Sequence, residues 1–169
     1  MAANEGLTAL EVLGVAIKAE FEAAALYTRL AAQVRNATLA SKLEFLRREE
    51  EKHRSILQDV YQRRFPDVDL QLPAHSPIPT VDVATLTDMA VPALFQVAMQ
   101  AEQLAADFYA READRSFDEM GRTTLRYLSH VESGHYKILE TEYELVSRFP
   151  DYYNADEFNF GSELIHIGP

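Results

Sequence analysis

Shifted against itself by 82 residues, the chain reads as two copies of one pattern. Ala19-Glu20 falls on Ala101-Glu102, Ala23-Ala24 on Ala105-Ala106, Tyr27 on Tyr109 and Arg29 on Arg111. Further along, Leu43, Leu46, Glu50, His53, Ile56, Leu57 and Tyr61 fall on Leu125, Leu128, Glu132, His135, Ile138, Leu139 and Tyr143. About 16 of 53 ungapped pairs are identical, several times chance. The fold must therefore be built twice from one unit, with pseudo-twofold symmetry in its core.

Within each copy the apolar residues step by threes and fours, the period of a helix face. Thr8 with Glu11 has the form of a capping box and opens a run through Leu10, Leu13, Ile17, Glu20, Ala24, Tyr27, Ala31 and Val34. After Asn36-Ala37-Thr38 a second run passes Leu39, Leu43, Leu46, Glu50, His53, Leu57 and Val60, ending near Arg64. A third starts between Thr87 and Pro92, since proline fits only the first turn of a helix, and passes Phe95, Met99, Glu102, Ala106, Tyr109 and Ala113. The fourth is expected to open near Ser116, with Glu119 in capping-box position, and to pass Leu125, Leu128, Glu132, His135, Leu139 and Val146 before Pro150.

Pro66, Pro73, Pro77 and Pro79 crowd the middle and mark Phe65 to Thr80 as a connector. Short joints force neighbouring helices antiparallel, so the sequence predicts an all-α, antiparallel four-helix bundle with one long crossover between its second and third helices. Roughly 15 to 20 residues at up to ~3.3 Å each span a helix of about 25 residues at 1.5 Å rise. Residues 1–149 are expected to form the bundle and 150–169 a short C-terminal extension. Tyr152, Tyr153, Phe158, Phe160, Leu164 and Ile167 make that extension too apolar for a solvated tail. It is expected to dock on the bundle or on a partner subunit.

Charge and composition narrow the chemistry. A net charge of −11 with no basic cluster argues against nucleic acid and anionic membrane as partners. Without cysteine there is no disulfide, thiolate nucleophile, Cys-ligated zinc or iron–sulfur cluster. Met1 to Leu7 lacks a basic n-region and an apolar h-region, and charged residues interrupt every long apolar stretch. The expected location is the cytoplasm.

Six polar residues stand on the apolar seams: Glu20, Glu50, His53, Glu102, Glu132 and His135. Their neighbours three and four positions away include Leu, Ile, Ala, Met and Tyr, so each is expected to point into the core. Burying an ion costs several kcal/mol and like charges repel, so four core carboxylates need cationic compensation. Two divalent metals bring it. Glu-x-x-His places both side chains on one helix face, each hairpin adds a Glu from its other helix, and the set suits two iron or manganese ions, with zinc as a possible substitute.

This constellation resembles the ferritin-like di-iron carboxylate superfamily, specifically the rubrerythrin and bacterioferritin-type proteins, over roughly residues 8 to 149. A Glu from two helices and Glu-x-x-His from the other two is the known ligand pattern of such bundles. The resemblance implies that Glu50 and Glu132 bridge two iron ions, that Glu20 and Glu102 are terminal ligands, and that His53 and His135 each bind one ion. Peroxidase-type rubrerythrins carry a further carboxylate one turn after the lone Glu of the third helix and a cysteine-rich electron-delivery domain. Here the first position is Ala105 and cysteine is absent, which implies a separate electron-donor protein. The haem-ligating Met of bacterioferritins is replaced by Glu51, so no haem is expected.

The resemblance implies a redox enzyme acting on O2 or H2O2, of ferroxidase or peroxidase type, in a homodimer or larger assembly. Monooxygenation of an organic substrate and a non-catalytic iron-binding bundle are the alternatives. Tyr27 and Tyr109, two turns after the lone glutamates, are candidates to hydrogen-bond a ligand carboxylate or supply an electron. Glu22, Glu49 and Glu51 are expected to be solvated, with metal access as their alternative role. His75, His130 and His166 read as surface histidines, and Asp107 as a candidate to orient a ligand histidine.

Overall fold

The computed structural model describes residues 7–74, 78, 89–116 and 118–151. Its four helices are α1 (Ala9–Gln33), α2 (Ala37–Arg64), α3 (Val91–Arg115) and α4 (Glu119–Arg148). The first two begin at 9 and 37 and the last two at 91 and 119, so the 82-residue register extends to the helix starts. Helix α1 pairs with α2 and α3 with α4 through three-residue joints, and the hairpins pack through α1 on α3 and α2 on α4. This is the predicted four-helix bundle.

The caps show why the helices begin where they do. Thr8 and Glu11 form the complete capping box, Thr8 Oγ1 accepting from the Glu11 N–H at 3.3 Å and Glu11 Oε2 accepting from the Thr8 N–H at 2.8 Å. Asn36 caps α2 through the Leu39 N–H at 2.9 Å. The cap of α4 differs from expectation. Asp118, the repeat counterpart of Asn36, accepts from the Gly121 N–H at 2.9 Å, while Ser116 is the C-cap of α3. Gly121 makes this possible, because a Cβ there would stand 2.6 Å from Asp118 Oδ2. Pro92 sits in the first turn of α3, so Val91 starts that helix without a side-chain cap.

The connector leaves α2 at Phe65 and lies along α1. Lys18 Nζ donates to the carbonyls of Pro73 and Ala74 at 2.9 and 3.4 Å, and Tyr61 Oη to that of Asp69 at 3.2 Å. It packs closely over Gly14, where a Cβ would lie 3.4 Å from the Gln71 carbonyl oxygen, an ordinary contact distance. Ile78 is buried against the bundle. The aromatic residues of the C-terminal extension, His75 and His166 lie outside the described residues.

Apolar packing occurs at both ends of the bundle. Leu26, Leu30, Leu39, Leu43, Leu46, Phe95 and Leu139 form one cluster; Leu13, Ile17, Leu57, Phe108, Leu125 and Leu128 form the other. Each helix enters one cluster and leaves through the other. The six seam residues occupy the layer between, so apolar plugs hold a polar middle away from bulk water.

Candidate metal centre

Glu20, Glu50, His53, Glu102, Glu132 and His135 are all buried, none more than 4% exposed. Each arrives from the middle of its helix, and the Glu-x-x-His pairs on α2 and α4 face each other. The two imidazoles stack with ring centroids 5.5 Å apart. His53 Nδ1 lies 3.2 Å from Glu132, 3.3 Å from Glu50 and 3.6 Å from Glu20. His135 Nδ1 lies 2.9 Å from both Glu50 and Glu132 and 3.8 Å from Glu102.

Two overlapping groups of four emerge: Glu20, Glu50, His53 and Glu132, and Glu50, Glu102, Glu132 and His135. Within each, one donor atom per residue lies within 4.8 Å of all the others. Glu50 and Glu132 belong to both, and the rest divide evenly.

Orphaned polar atoms test whether this set suits a metal. Glu50 Oε1, both oxygens of Glu132, His53 Nε2 and His135 Nδ1 are buried with no hydrogen-bond partner. The close approach of His135 Nδ1 to two carboxylates therefore lacks hydrogen-bond alignment. Donors around one ion at about 2.0 to 2.2 Å stand roughly 3 Å from their neighbours and aim at the ion instead of at each other. Oxygen and nitrogen donors converging with unmet lone pairs fit divalent iron or manganese.

Two tyrosines fasten this set. Tyr27 on α1 donates to Glu102 Oε1 on α3, and Tyr109 on α3 donates to Glu20 Oε1 on α1. Each hairpin's tyrosine thus holds the other hairpin's lone glutamate. Burial pushes both phenols well above their usual range, with Glu102 and Glu20 respectively as the next cause, so both remain donors.

Without metal, protons balance the charge unevenly. Burial, then the charge of Glu132, pushes Glu50 well above the carboxylate range; burial, then the charges of Glu50 and Glu132, does the same to Glu102. Glu132 goes the other way. Burial would raise it, but the imidazoles of His135 and His53 beside it hold it at about 2. Burial likewise opposes charge on His53, yet the nearby carboxylates of Glu132, Glu20 and Glu50 raise it to about 12, and His135 is raised for similar reasons.

A cavity of about 30 Å³ touches the centre between α1 and α3, lined by four seam glutamates, by Ala19, Ala23, Ala101 and Ala105, and by Glu22, Leu26 and Ile78. The remaining expected residues divide. Glu49 pairs with Lys52 and Glu51 with Arg47, and neither lines the cavity. His130 is exposed, its ring 2.7 Å from the Arg126 carbonyl. Asp107 is exposed and accepts from Gln103 at 3.0 Å instead of from a histidine.

Two further buried glutamates were missed. Glu112 pairs with Arg111 and Arg115, and Glu142 with Lys42. Glu142 follows Leu139 by three and precedes Val146 by four, a seam spacing that marks it.

A family profile described as Rubrerythrin matches residues 11–143. A solved structure of a hypothetical protein from Pyrococcus furiosus is 32% identical, with a TM-score of 0.75 over 85% of this chain and 92% of that one. No curated protein matches the chain.

Proposed function

Since the chain belongs to the rubrerythrin family, we propose that it is a di-iron redox protein in which Fe(II) is oxidised by O2 or H2O2. Glu50 and Glu132 would be shared by the two ions, Glu20 and Glu102 would be terminal ligands, and His53 and His135 would each hold one ion through a ring nitrogen. The bound pair supplies two electrons to the oxidant.

The protein's own part is positional and electrostatic. Tyr27 and Tyr109 hold the terminal carboxylates in place, the four glutamates favour the higher oxidation state, and the apolar clusters on either side exclude water. The cavity volume favours a small oxidant over an organic substrate. About 30 Å³ beside the ligands is roughly the share of one water molecule, which suits O2 or H2O2 and leaves no room for an organic ring. The roomy cavity of about 300 Å³ at the bundle end, walled by Val12, Leu13 and Leu125, touches none of the six residues.

Because the sequence has no cysteine, any electron donor would be another protein. We place the protein in the cytoplasm as a homodimer; among the described residues no helix is long and apolar enough to cross a membrane. Anaerobic Fe(II) loading with metal counting, followed by separate additions of O2 and H2O2 under absorbance monitoring, tests the reading. Two ions per chain and rapid oxidation by either oxidant are expected. Oxidation by neither would leave only an iron-binding bundle.

A further inference from the structure

We propose that Glu22 receives divalent cations at the mouth of the metal centre and passes them inward, making the opening between α1 and α3 the admission route for metal. This rests on the di-metal reading above. The walls of the opening are two repeat-related alanine pairs, Ala19 with Ala101 and Ala23 with Ala105. Four alanines thin the two helix walls beside the ligand carboxylates, with Leu26 and Ile78 as the larger apolar residues of the lining. On its inner side stand Glu50 and Glu132, the residues whose carboxylate oxygens lack hydrogen-bond partners.

Glu22 lines the same opening and breaks the symmetry, because the residue 82 positions on is Leu104. Its side chain is 23% exposed, with solvent on one side and the cavity on the other. Lys18 stands 3.9 Å away, but its ammonium is also held by the connector carbonyls of Pro73 and Ala74. The cavity is small, about 30 Å³, so a hydrated divalent ion must shed most of its shell to enter it. Dehydration against an apolar wall costs several kcal/mol. A partly exposed carboxylate that lines the cavity replaces lost water with a charged ligand, and the four seam glutamates line the same cavity. Glu49 and Glu51 are already paired with Lys52 and Arg47. The larger cavities elsewhere on the chain touch none of the six ligands.

The test is stopped-flow uptake of Co(II), read by its ligand-field absorbance, in the wild type, Glu22→Gln and Glu49→Gln. Both variants remove one negative charge beside a ligand, but only Glu22 lines the opening. Glu22→Gln should slow uptake ~3- to 10-fold, the scale on which a focused charge alters cation association. Its final stoichiometry should remain two ions and its equilibrium affinity should stay within about twofold of the wild type, while Glu49→Gln takes up Co(II) at the wild-type rate. Equal rates in all three proteins would overturn the route while leaving the metal centre standing. Loss of one ion from Glu22→Gln would make Glu22 a permanent ligand and overturn its role in transfer. Failure of the wild type itself to take up Co(II) would overturn the di-metal reading, and the route with it.

Discussion

Removing one phenolic hydroxyl should weaken metal binding more than it weakens the fold. Tyr27 donates to Glu102, both residues being buried. In the metal-free protein Glu102 lies well above the usual carboxylate range, through burial and the neighbouring Glu50 and Glu132, which favours its neutral form over the ionised one. A neutral buried hydrogen bond contributes a net of about 1 kcal/mol. Ligation requires the ionised carboxylate, and a hydrogen bond to a charged acceptor contributes ~1.5–3 kcal/mol. Only the difference, about 0.5–2 kcal/mol, reaches metal affinity. Tyr27→Phe should therefore bind metal roughly 2- to 30-fold more weakly, while the apo melting temperature falls by only ~2–4 °C. Chelator-competition titration with Co(II) reads the first and calorimetry of the apo protein the second. An unchanged affinity, or an apo loss as large as the loss in the loaded protein, would refute the argument that the hydroxyl distinguishes the two charge states.

Glu50→Ala or Glu132→Ala should lose both metals, because each carboxylate belongs to both donor groups, whereas Glu20→Ala should lose mainly one; metal analysis after anaerobic Fe(II) loading decides. Apo stability should fall as pH rises from about 6 to about 9. His53, raised to about 12, contributes fully below its unfolded value of about 6.5 and progressively loses that contribution as pH climbs through its folded value, while the raised Glu50 and Glu102 contribute below about 4.3 and lose their contribution above it. Glu132, held at about 2, acts oppositely, contributing above about 4.3 and losing that contribution only as acid approaches pH 2. Bound metal should instead be expelled by acid, so chelated and loaded proteins melted across this range should diverge; an apo melting temperature that climbs from pH 6 to 9 would contradict the proton balance. Truncation after Pro150 should convert a homodimer to a monomer by light scattering, and equal masses before and after would remove the extension from the interface.

The bundle was legible because one physical signal recurred twice. Helical spacing around Glu20 and Glu102, and around Glu50-x-x-His53 and Glu132-x-x-His135, placed charged residues where only apolar ones belong. The cap of α4 was misplaced because Ser116 and Glu119 imitate a capping box, although the repeat itself pairs Asn36 with Asp118. Spacing along one helix also carries no information on partners across the bundle, so it could not pair Tyr27 with Glu102. The charge balance escaped for a related reason. Four core carboxylates suggest uniformly raised pKa values, whereas two imidazoles meet Glu132 and reverse its shift. Glu22 lay one step off the seam, where only the width of the α1–α3 opening distinguishes a solvated residue from a cavity wall.

The crossed tyrosines also bear on the order of folding. Each hairpin closes through contacts between neighbouring helices, and such local contacts form quickly. Glu20, Glu50 and His53 lie in one hairpin, but the hydroxyl that steadies Glu20 and the second carboxylate shared by both donor groups come from the other. A lone hairpin therefore has half a binding site with its acidic groups unopposed. Metal uptake during refolding would report a late event, the docking of two preformed halves across the long connector, and should lag the appearance of helix in a time-resolved experiment.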